Sequence, residues 1–265
     1  MTAPPAPSSS LSEIRREIDR IDDGILALVA ERLAIADRVK RAKAENGGAG
    51  ETPLRPAREA AVMRRLIAKA KGQVPAEICF RLWRTLMASV ALRQAPLRLH
   101  ASAGLFASPA AQSLLREFFG DIAFADHPSE AAALKAAAGN PLDLAAVAID
   151  SPWVKAFREG AAGKAQAIGC LPFLGSAATP KILIFGHAAQ EATGDDETLV
   201  LTHGPLPRDF APQPLWQVKS GSTQVSGIPG FLLEHSAPLI GLQRSNDALA
   251  LTIVGRYPSP IEITS

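Results

Sequence analysis

Residues 11–45 read LSEIRREIDRIDDGILALVAERLAIADRVKRAKAE, and the spacing of their apolar side chains decides the N-terminal fold. Ile14, Ile18, Ile21, Ile25, Leu28, then Arg32, then Ile35, Val39 and Ala42 alternate steps of four and three. That is the seam of a long helix packed against other helices. Arg32 stands where a leucine or isoleucine belongs. A guanidinium in such a seam is costly to bury unless an anion meets it. Either a carboxylate of the protein, such as Glu31 or Glu59, pairs with it, or a ligand does.

Ser12 or Ser10 caps this helix, which continues to about Glu45 with only Gly24 weakening it. Its length is about 50 Å. Asn46 to Gly50 contains three glycines and reads as a loop. Pro56 suits the first position of a second helix, through about Lys71, with Gly72 as its stop. Pro75 opens a third, which reaches Gln94 before Pro96 closes it. A 50 Å rod cannot bury its seam against partners of roughly 22 and 30 Å. The expected remedy is a homodimer whose long helices pack together.

The 265 residues are 47% hydrophobic and 20% charged, as in globular proteins, with a net charge of +2. Residues 1–95 carry 17 Lys/Arg against 11 Asp/Glu. This mildly basic half suits an anionic ligand, but no basic stripe interleaved with aromatics points to nucleic acid. Cys79 and Cys170 lie far apart without metal-ligand spacing, so reduced, buried thiols are expected, and no metal. Residues 1–10 are rich in Pro, Ala and Ser, which fits a disordered tail and not a signal peptide. No apolar run approaches the roughly 20 residues that span a bilayer. A cytoplasmic protein without membrane partners is expected.

Beyond Pro96 the pattern changes. Leu97–His100 and Ala145–Ile149 read as buried strands, with helices at Pro109–Phe119 and Ser129–Ala138 between them. Lys181–Phe185, Thr198–Thr202 and Ala248–Val254 are further strand candidates. Residues 97–265 therefore read as an α/β domain. The dense prolines and glycines from 204 to 230 predict long surface connections. The five histidines, His100, His127, His187, His203 and His235, show no metal spacing and read as strand-end or surface residues. Arg158-Glu159 and Asp195-Asp196-Glu197 read as solvated turns.

Other polar groups interrupt the helical half. Lys43 lies eleven residues beyond Arg32, so about 20° around the helix and about 16 Å along it. Arg15 is rotated about 100° off that face, which suits a partner chain's pocket better than its own. In the third helix Trp83, Met87 and Val90 form a seam that Gln94 continues. Arg58 and Glu59 follow Pro56, where the helix dipole favours the acid. Each has a plainer explanation: solvated flank charges for Arg15 and Lys43, a fraying helix end for Gln94, a surface pair for Arg58 and Glu59.

Leu11-x-x-x-Arg15-x-x-Ile18-Asp19-x-Ile21-Asp22, then Ala30-Glu31-Arg32, Lys40-Arg41-Ala42-Lys43, Arg58-Glu59 and a closing helix with Ser89 and Gln94 together resemble the all-helical chorismate mutases. The resemblance covers residues 11–95. It implies an intertwined helical dimer, chorismate as substrate, rearrangement to prephenate in aromatic amino-acid biosynthesis, and no cofactor. It also implies roles. Arg15 of the partner subunit and Arg32 clamp the carboxylates, and Lys43 and Gln94 donate to the ether oxygen. Arg58 supports the anion site and Glu59 accepts from the ring hydroxyl. The sequence departs from the family's pattern at Arg55, where an acid is common, and at Val90, where a small polar residue is. The expected fold class is α + α/β.

Residues 98–150 bear a weaker resemblance to the start of prephenate dehydratase, through Ser108-Pro-Ala-Ala-Gln, Asp126-His-Pro-Ser-Glu and Leu144-Ala-Ala-Val-Ala-Ile-Asp-Ser. The Thr-Arg-Phe motif that this family needs is absent; Pro180-Lys181-Ile182 stands at its place. A reduced dehydratase-like domain without that activity is expected, and Thr198–Thr202 is a possible start of a regulatory ligand-binding module. The alternatives are an isochorismate pyruvate lyase on the same helical fold, a bifunctional mutase–dehydratase, and a non-catalytic dimerising module.

Overall fold

Ser10 starts the first helix with a reciprocal cap. Its backbone N–H donates to Glu13 Oε2 at 2.7 Å, and the Glu13 N–H donates to Ser10 Oγ at 3.3 Å. This satisfies two donors that a helix start leaves orphaned. Hydrogen bonds from the Ser10 backbone and hydroxyl hold the Glu13 carboxyl below its ordinary value. The computed structural model describes residues 10–45, 51–70, 72–175, 181–233, 235–245 and 250–263, without the side chains of 43–44 and 242–245. The expected tail before Ser10 and the glycine loop at 46–50 lie outside the described residues.

The chain divides into two compact units, Met1–Ala49 and Gly50–Ser265. The first holds helix α1 (Leu11–Glu45), 35 residues without a break and so about 52 Å long. A Cβ at Gly24 would meet nothing within 4 Å, so this glycine serves no close approach. The apolar stripe predicted from spacing is largely in solvent within the single chain: Ile14, Ile18, Ile21, Ile25, Leu28, Ile35 and Val39 are 43–67% exposed.

The second unit begins with α2 (Pro56–Lys69) and α3 (Ala76–Gln94). Pro56 occupies the start of α2, where its missing N–H has no cost. Gly72, at φ +78°, provides the left-handed turn expected after α2. The two helices pack on each other, Met63 of α2 clustering with Phe80 and Met87 on the buried side of α3. That side differs from the predicted one. Cys79, Phe80, Arg84, Met87, Ala88 and Ala91 are buried, while Trp83 and Val90 are only half-buried. The buried stripe is rotated because its alanines let α3 approach the next layer closely.

That layer is a mixed sheet. In chain order the elements are β1 (Arg98–Ser102), α4 (Ala103–Phe106), α5 (Pro109–Phe119), β2 (Ala123–His127), α6 (Glu130–Ala138), β3 (Asp143–Ala148), α7 (Trp153–Arg158), β4 (Gln166–Leu171), β5 (Leu174–Gly175) and β6 (Ile182–Gly186). They continue with β7 (Asp196–His203), β8 (Trp216–Ser220), β9 (Thr223–Pro229), α8 (Ala237–Ser245), β10 (Thr252–Pro258) and β11 (Ile261–Glu262). Nine strands pair in the order β2-β1-β3-β6-β4-β10-β7-β9-β8, and β5 pairs separately with β11. The β2-β1-β3 edge is parallel, with His100 opposite Ala125 and Ala145. From β3 onward the neighbours are antiparallel except β4 with β10.

Alternation along the strands builds two cores. Ala145 and Val147 of β3 with Leu183 and Phe185 of β6 face one side, where Leu134 of α6 and Trp153 of α7 cover them. Leu144, Ala146, Ile182 and Ile184 face the other, under Leu115 and Phe119 of α5 and Ala91 of α3. A side chain of this size buried completely contributes about 1.5–3 kcal/mol, and strands buried on both faces read as unbroken apolar runs. Gly255 allows β10 to approach β4: a Cβ there would lie 2.1 Å from the Ala167 carbonyl oxygen. Arg64 fastens α2 to this sheet, donating Nη1 to Thr193 Oγ1 at 2.9 Å and Nη2 to the carbonyls of Asp195 and Ser259 at 2.8 and 2.7 Å.

Three sequence-based expectations need correction. The 204–230 stretch holds a hairpin, β8 and β9, turned at Gly221 with φ +62°. Thr198–Thr202 lies within β7, paired to β10 and β9 of the same sheet, and so opens no separate module. Asp196 and Glu197 are buried in β7 at 3% exposure each, whereas Asp195 and the Arg158-Glu159 pair are exposed as expected.

Candidate functional site

The predicted site residues of α1 sit on one unbroken helix. Arg15 is exposed in the first turns. Arg32 is half-buried, three residues before Ile35 in the apolar stripe, and burial lowers its pKa from the ordinary value. The Lys43 side chain lies outside the described residues.

In the second unit, Arg58 and Glu59 are neighbours in the first turn of α2, and consecutive helical residues point about 100° apart. Arg58 is exposed and Glu59 turns inward. Glu59 Oε1 accepts from the Arg55 backbone N–H at 3.3 Å, and Oε2 accepts from Arg84 Nη1 at 2.5 Å. Gln94 is half-buried as the last residue of α3. Arg58, Glu59 and Gln94 make no hydrogen bond or ion pair with one another among the described residues. Arg55, which replaces the family's acid, pairs loosely with Glu191 at 3.9 Å, with side chains 40% and 57% exposed. Such a surface contact is worth at most about 1 kcal/mol.

Arg84 was not foreseen. It is 2% exposed, and its Cζ lies 4.2 Å from the centroid of the Phe118 ring of α5. Its Nε and Nη2 meet no acceptor among the described residues. An unsatisfied buried donor costs about 1–3 kcal/mol and a charged one more. The signal was present in sequence: Arg84 lies four residues after Phe80 and three before Met87, interrupting a seam as Arg32 does. Trp83 and Val90 make the adjacent stripe apolar as well, so the helix's own pattern does not single out Arg84.

The α/β layer holds two other polar clusters. Glu197 accepts from Trp216 Nε1 at 2.7 Å and from Tyr257 Oη at 3.3 Å. Burial pushes its carboxyl up, against these two hydrogen bonds. Burial likewise raises the Cys170 thiol and the Tyr257 phenol well above their ordinary values. All three groups are buried. At the parallel edge, His100 Nδ1 lies 2.8 Å from His127 Nε2, and His100 Nε2 lies 3.5 Å from Asp143 Oδ2. Burial lowers the His100 pKa, against the pull of Asp143. His187 bonds the Ala137 carbonyl oxygen at 3.0 Å. His203 and His235 are exposed. Among the described residues no cluster of three His, Cys, Asp or Glu could hold a metal, and both cysteines are free. No described helix is long and apolar enough to cross a membrane.

Residues 14–95 match the family of type II chorismate mutases. The bifunctional chorismate mutase/prephenate dehydratase of Pseudomonas aeruginosa is 35% identical over 96 residues, 36% of this chain and 26% of that protein. Its counterpart in Stutzerimonas stutzeri is 34% identical over 94 residues, 35% of this chain and 26% of that protein. The chain thus spans about a quarter of the length of these curated relatives. Among solved structures, prephenate dehydratase from Streptococcus mutans aligns over 63% of this chain and 100% of its own, at 14% identity and a TM-score of 0.36. A quorum-quenching acylase described as a novel type aligns over 61% and 95%, at 13% identity and a TM-score of 0.40. The matched segment contains Arg15, Arg32, Lys43, Arg58, Glu59 and Gln94. Residues 14–95 of this chain therefore carry a chorismate mutase type II domain.

Proposed function

We propose that this protein is a cytoplasmic, homodimeric chorismate mutase. The observation that carries the proposal is the family match over 14–95, which brings in α1 with a half-buried arginine set in its apolar stripe. The exposed stripe of Ile14, Ile18, Ile21, Ile25, Leu28, Ile35 and Val39 gives a second copy of α1 a face to cover.

Chorismate is a small dicarboxylate and its rearrangement is pericyclic, so no nucleophile is needed. Catalysis then consists of holding the reactive conformer and stabilising charge on the ether oxygen as its bond breaks. In this reading Arg15 of one subunit and Arg32 of the other hold the carboxylates, with Arg58 in support. Lys43 and Gln94 donate to the ether oxygen. Glu59, oriented by Arg84, accepts from the ring hydroxyl. The 97–265 domain has no dehydratase activity, because the Thr-Arg-Phe motif is missing ahead of β6.

The test is the disappearance of chorismate absorbance with the product identified, at protein concentrations where the oligomer has been measured. Prephenate as sole product supports the reading. Unchanged chorismate from a purified dimer would overturn it, and pyruvate released from isochorismate would replace it with the lyase. Phenylpyruvate formed from prephenate would show that the second domain keeps dehydratase chemistry.

A further inference from the structure

Side chains from three helices connect in series: Glu59 of α2, Arg84 of α3 and Phe118 of α5. Arg84 Nη1 donates to Glu59 Oε2 at 2.5 Å, and Arg84 Cζ lies over the Phe118 ring, 4.2 Å from its centroid. Phe173, which follows β4, meets the Phe118 ring edge-on with centroids 5.9 Å apart. All four residues lie in the one compact unit that begins at Gly50. Glu59 and Arg84 belong to the segment that matches the mutase family, whereas Phe118 and Phe173 belong to the α/β domain.

The hydrogen bonds of Arg84 do not by themselves fix its guanidinium. That group carries five N–H donors in one plane, and two or three bonds in the plane would hold it. Here Nη1 alone is bonded, while Nε and Nη2 meet no acceptor among the described residues. A guanidinium held by a single bond can swing about it. Its orientation then falls to what packs against it, and a cation is attracted to the face of an aromatic ring at this distance. Phe118 supplies that ring. A second charged link between α3 and α5, Arg81 to Glu117 at 3.1 Å, has side chains 72% and 37% exposed. Such a pair contributes little, and it does not touch Arg84 or Glu59.

The orientation of Arg84 matters because it sets that of Glu59. Glu59 Oε1 accepts from the Arg55 backbone N–H and Oε2 from Arg84. Each carboxylate oxygen offers two acceptor sites, and the side chain is 20% exposed, so the carboxylate keeps room for a further donor. We propose that Phe118 is a positioning residue of the mutase, supplied by the α/β domain. It holds Arg84, and through Arg84 it aims the Glu59 carboxylate at the ring hydroxyl of chorismate. The proposal rests on the mutase reading and deepens it. Residues 97–265 take a share in the mutase site without any chemistry of their own.

The experiment uses the full chain and the mild variant Phe118→Leu, which removes the ring and keeps an apolar side chain. Misplacing a group that holds the reactive conformer can cost about a hundredfold in rate, and Phe118→Leu is expected to lower kcat about tenfold. The carboxylate clamps are untouched, so KM should change by less than about twofold. In Arg84→Lys the route from ring to carboxylate is already broken, and adding Phe118→Leu should cost nothing further. A second measurement does not depend on turnover. With labelled arginine, the Nη1 and Nη2 resonances of Arg84 should be separate in the unaltered chain and merge in Phe118→Leu. Unchanged kcat in Phe118→Leu, an equal loss in the Arg84→Lys background, or resonances that stay separate would overturn the proposal alone. An unaltered chain that leaves chorismate unchanged would overturn the mutase reading, and this proposal with it.

Discussion

Arg84 Nη1 lies 2.5 Å from Glu59 Oε2, and the two partners are buried unequally, with 3% of the arginine side chain exposed against 20% of the glutamate. Removing one partner of a buried pair leaves the other's charge uncompensated, which costs about 3–5 kcal/mol. The inequality makes the cost directional. Glu59→Ala should lose about 3–5 kcal/mol, because Arg84 has no route to water. Arg84→Leu should lose less, because Glu59 can turn toward solvent. Urea unfolding of both variants checks the order, and equal losses would show that exposure does not govern it.

The relation between Arg32 and Arg84 also shows how far the sequence could be read. Both interrupt a four-three seam, but only Arg32 stands among large aliphatic residues on both sides, so its stripe is unambiguous. In α3 two adjacent stripes are apolar: Trp83, Met87 and Val90, and Phe80, Met87 and Ala91. Which one faces inward is set by α5 and the sheet, which lie outside the helix's own pattern. Helix limits were legible where caps and prolines mark them: α1 ends at Glu45 and α5 spans Pro109–Phe119, as expected. The β8–β9 hairpin was not, because its prolines and glycines flank short strands, and its partner β7 lies far back in the chain. Among the six proposed mutase residues, the structure joins the Glu59 side chain to Arg84, a partner on another helix that the pattern of α2 alone does not reveal.

Gly227 should resist substitution. A Cβ there would lie 2.3 Å from Trp216 Nε1 and 2.6 Å from Glu197 Oε2. Gly227→Ala forces the indole off its carboxylate within a packed layer, at a cost of about 1–3 kcal/mol. The expected signature is a lower denaturation midpoint with an altered Trp fluorescence maximum. An unshifted spectrum would mean that the backbone, and not the indole, gives way.

Glu197 gives stability a pH dependence of known sign. Burial raises its carboxyl above the ordinary 4.5, so between that value and its folded-state value the native chain holds a proton that the unfolded chain has released. Stability then falls as pH rises through this window and is level above it. Glu197→Gln removes the titration but keeps an acceptor for Trp216 Nε1. Denaturation midpoints measured upward from pH 4.5 should decline more steeply in the natural protein than in the variant, once other titrations are subtracted by the comparison. Parallel declines would show that Glu197 does not bind its proton more tightly when folded.

Arg32 separates the catalytic reading from a purely structural one. A dimerising module would gain from Arg32→Leu, because the change restores an aliphatic residue to the stripe and removes a half-buried cation whose pKa burial already lowers. A mutase would lose a carboxylate clamp. Removing one positioned donor from such a site costs about a hundredfold or more in turnover. The expected outcome joins both: Arg32→Leu remains a dimer, is at least as stable to heat, and no longer consumes chorismate. Arg32→Lys should recover only part of the activity, since an ammonium keeps the charge without the two parallel bonds. Full activity in Arg32→Leu would assign Arg32 to the seam alone.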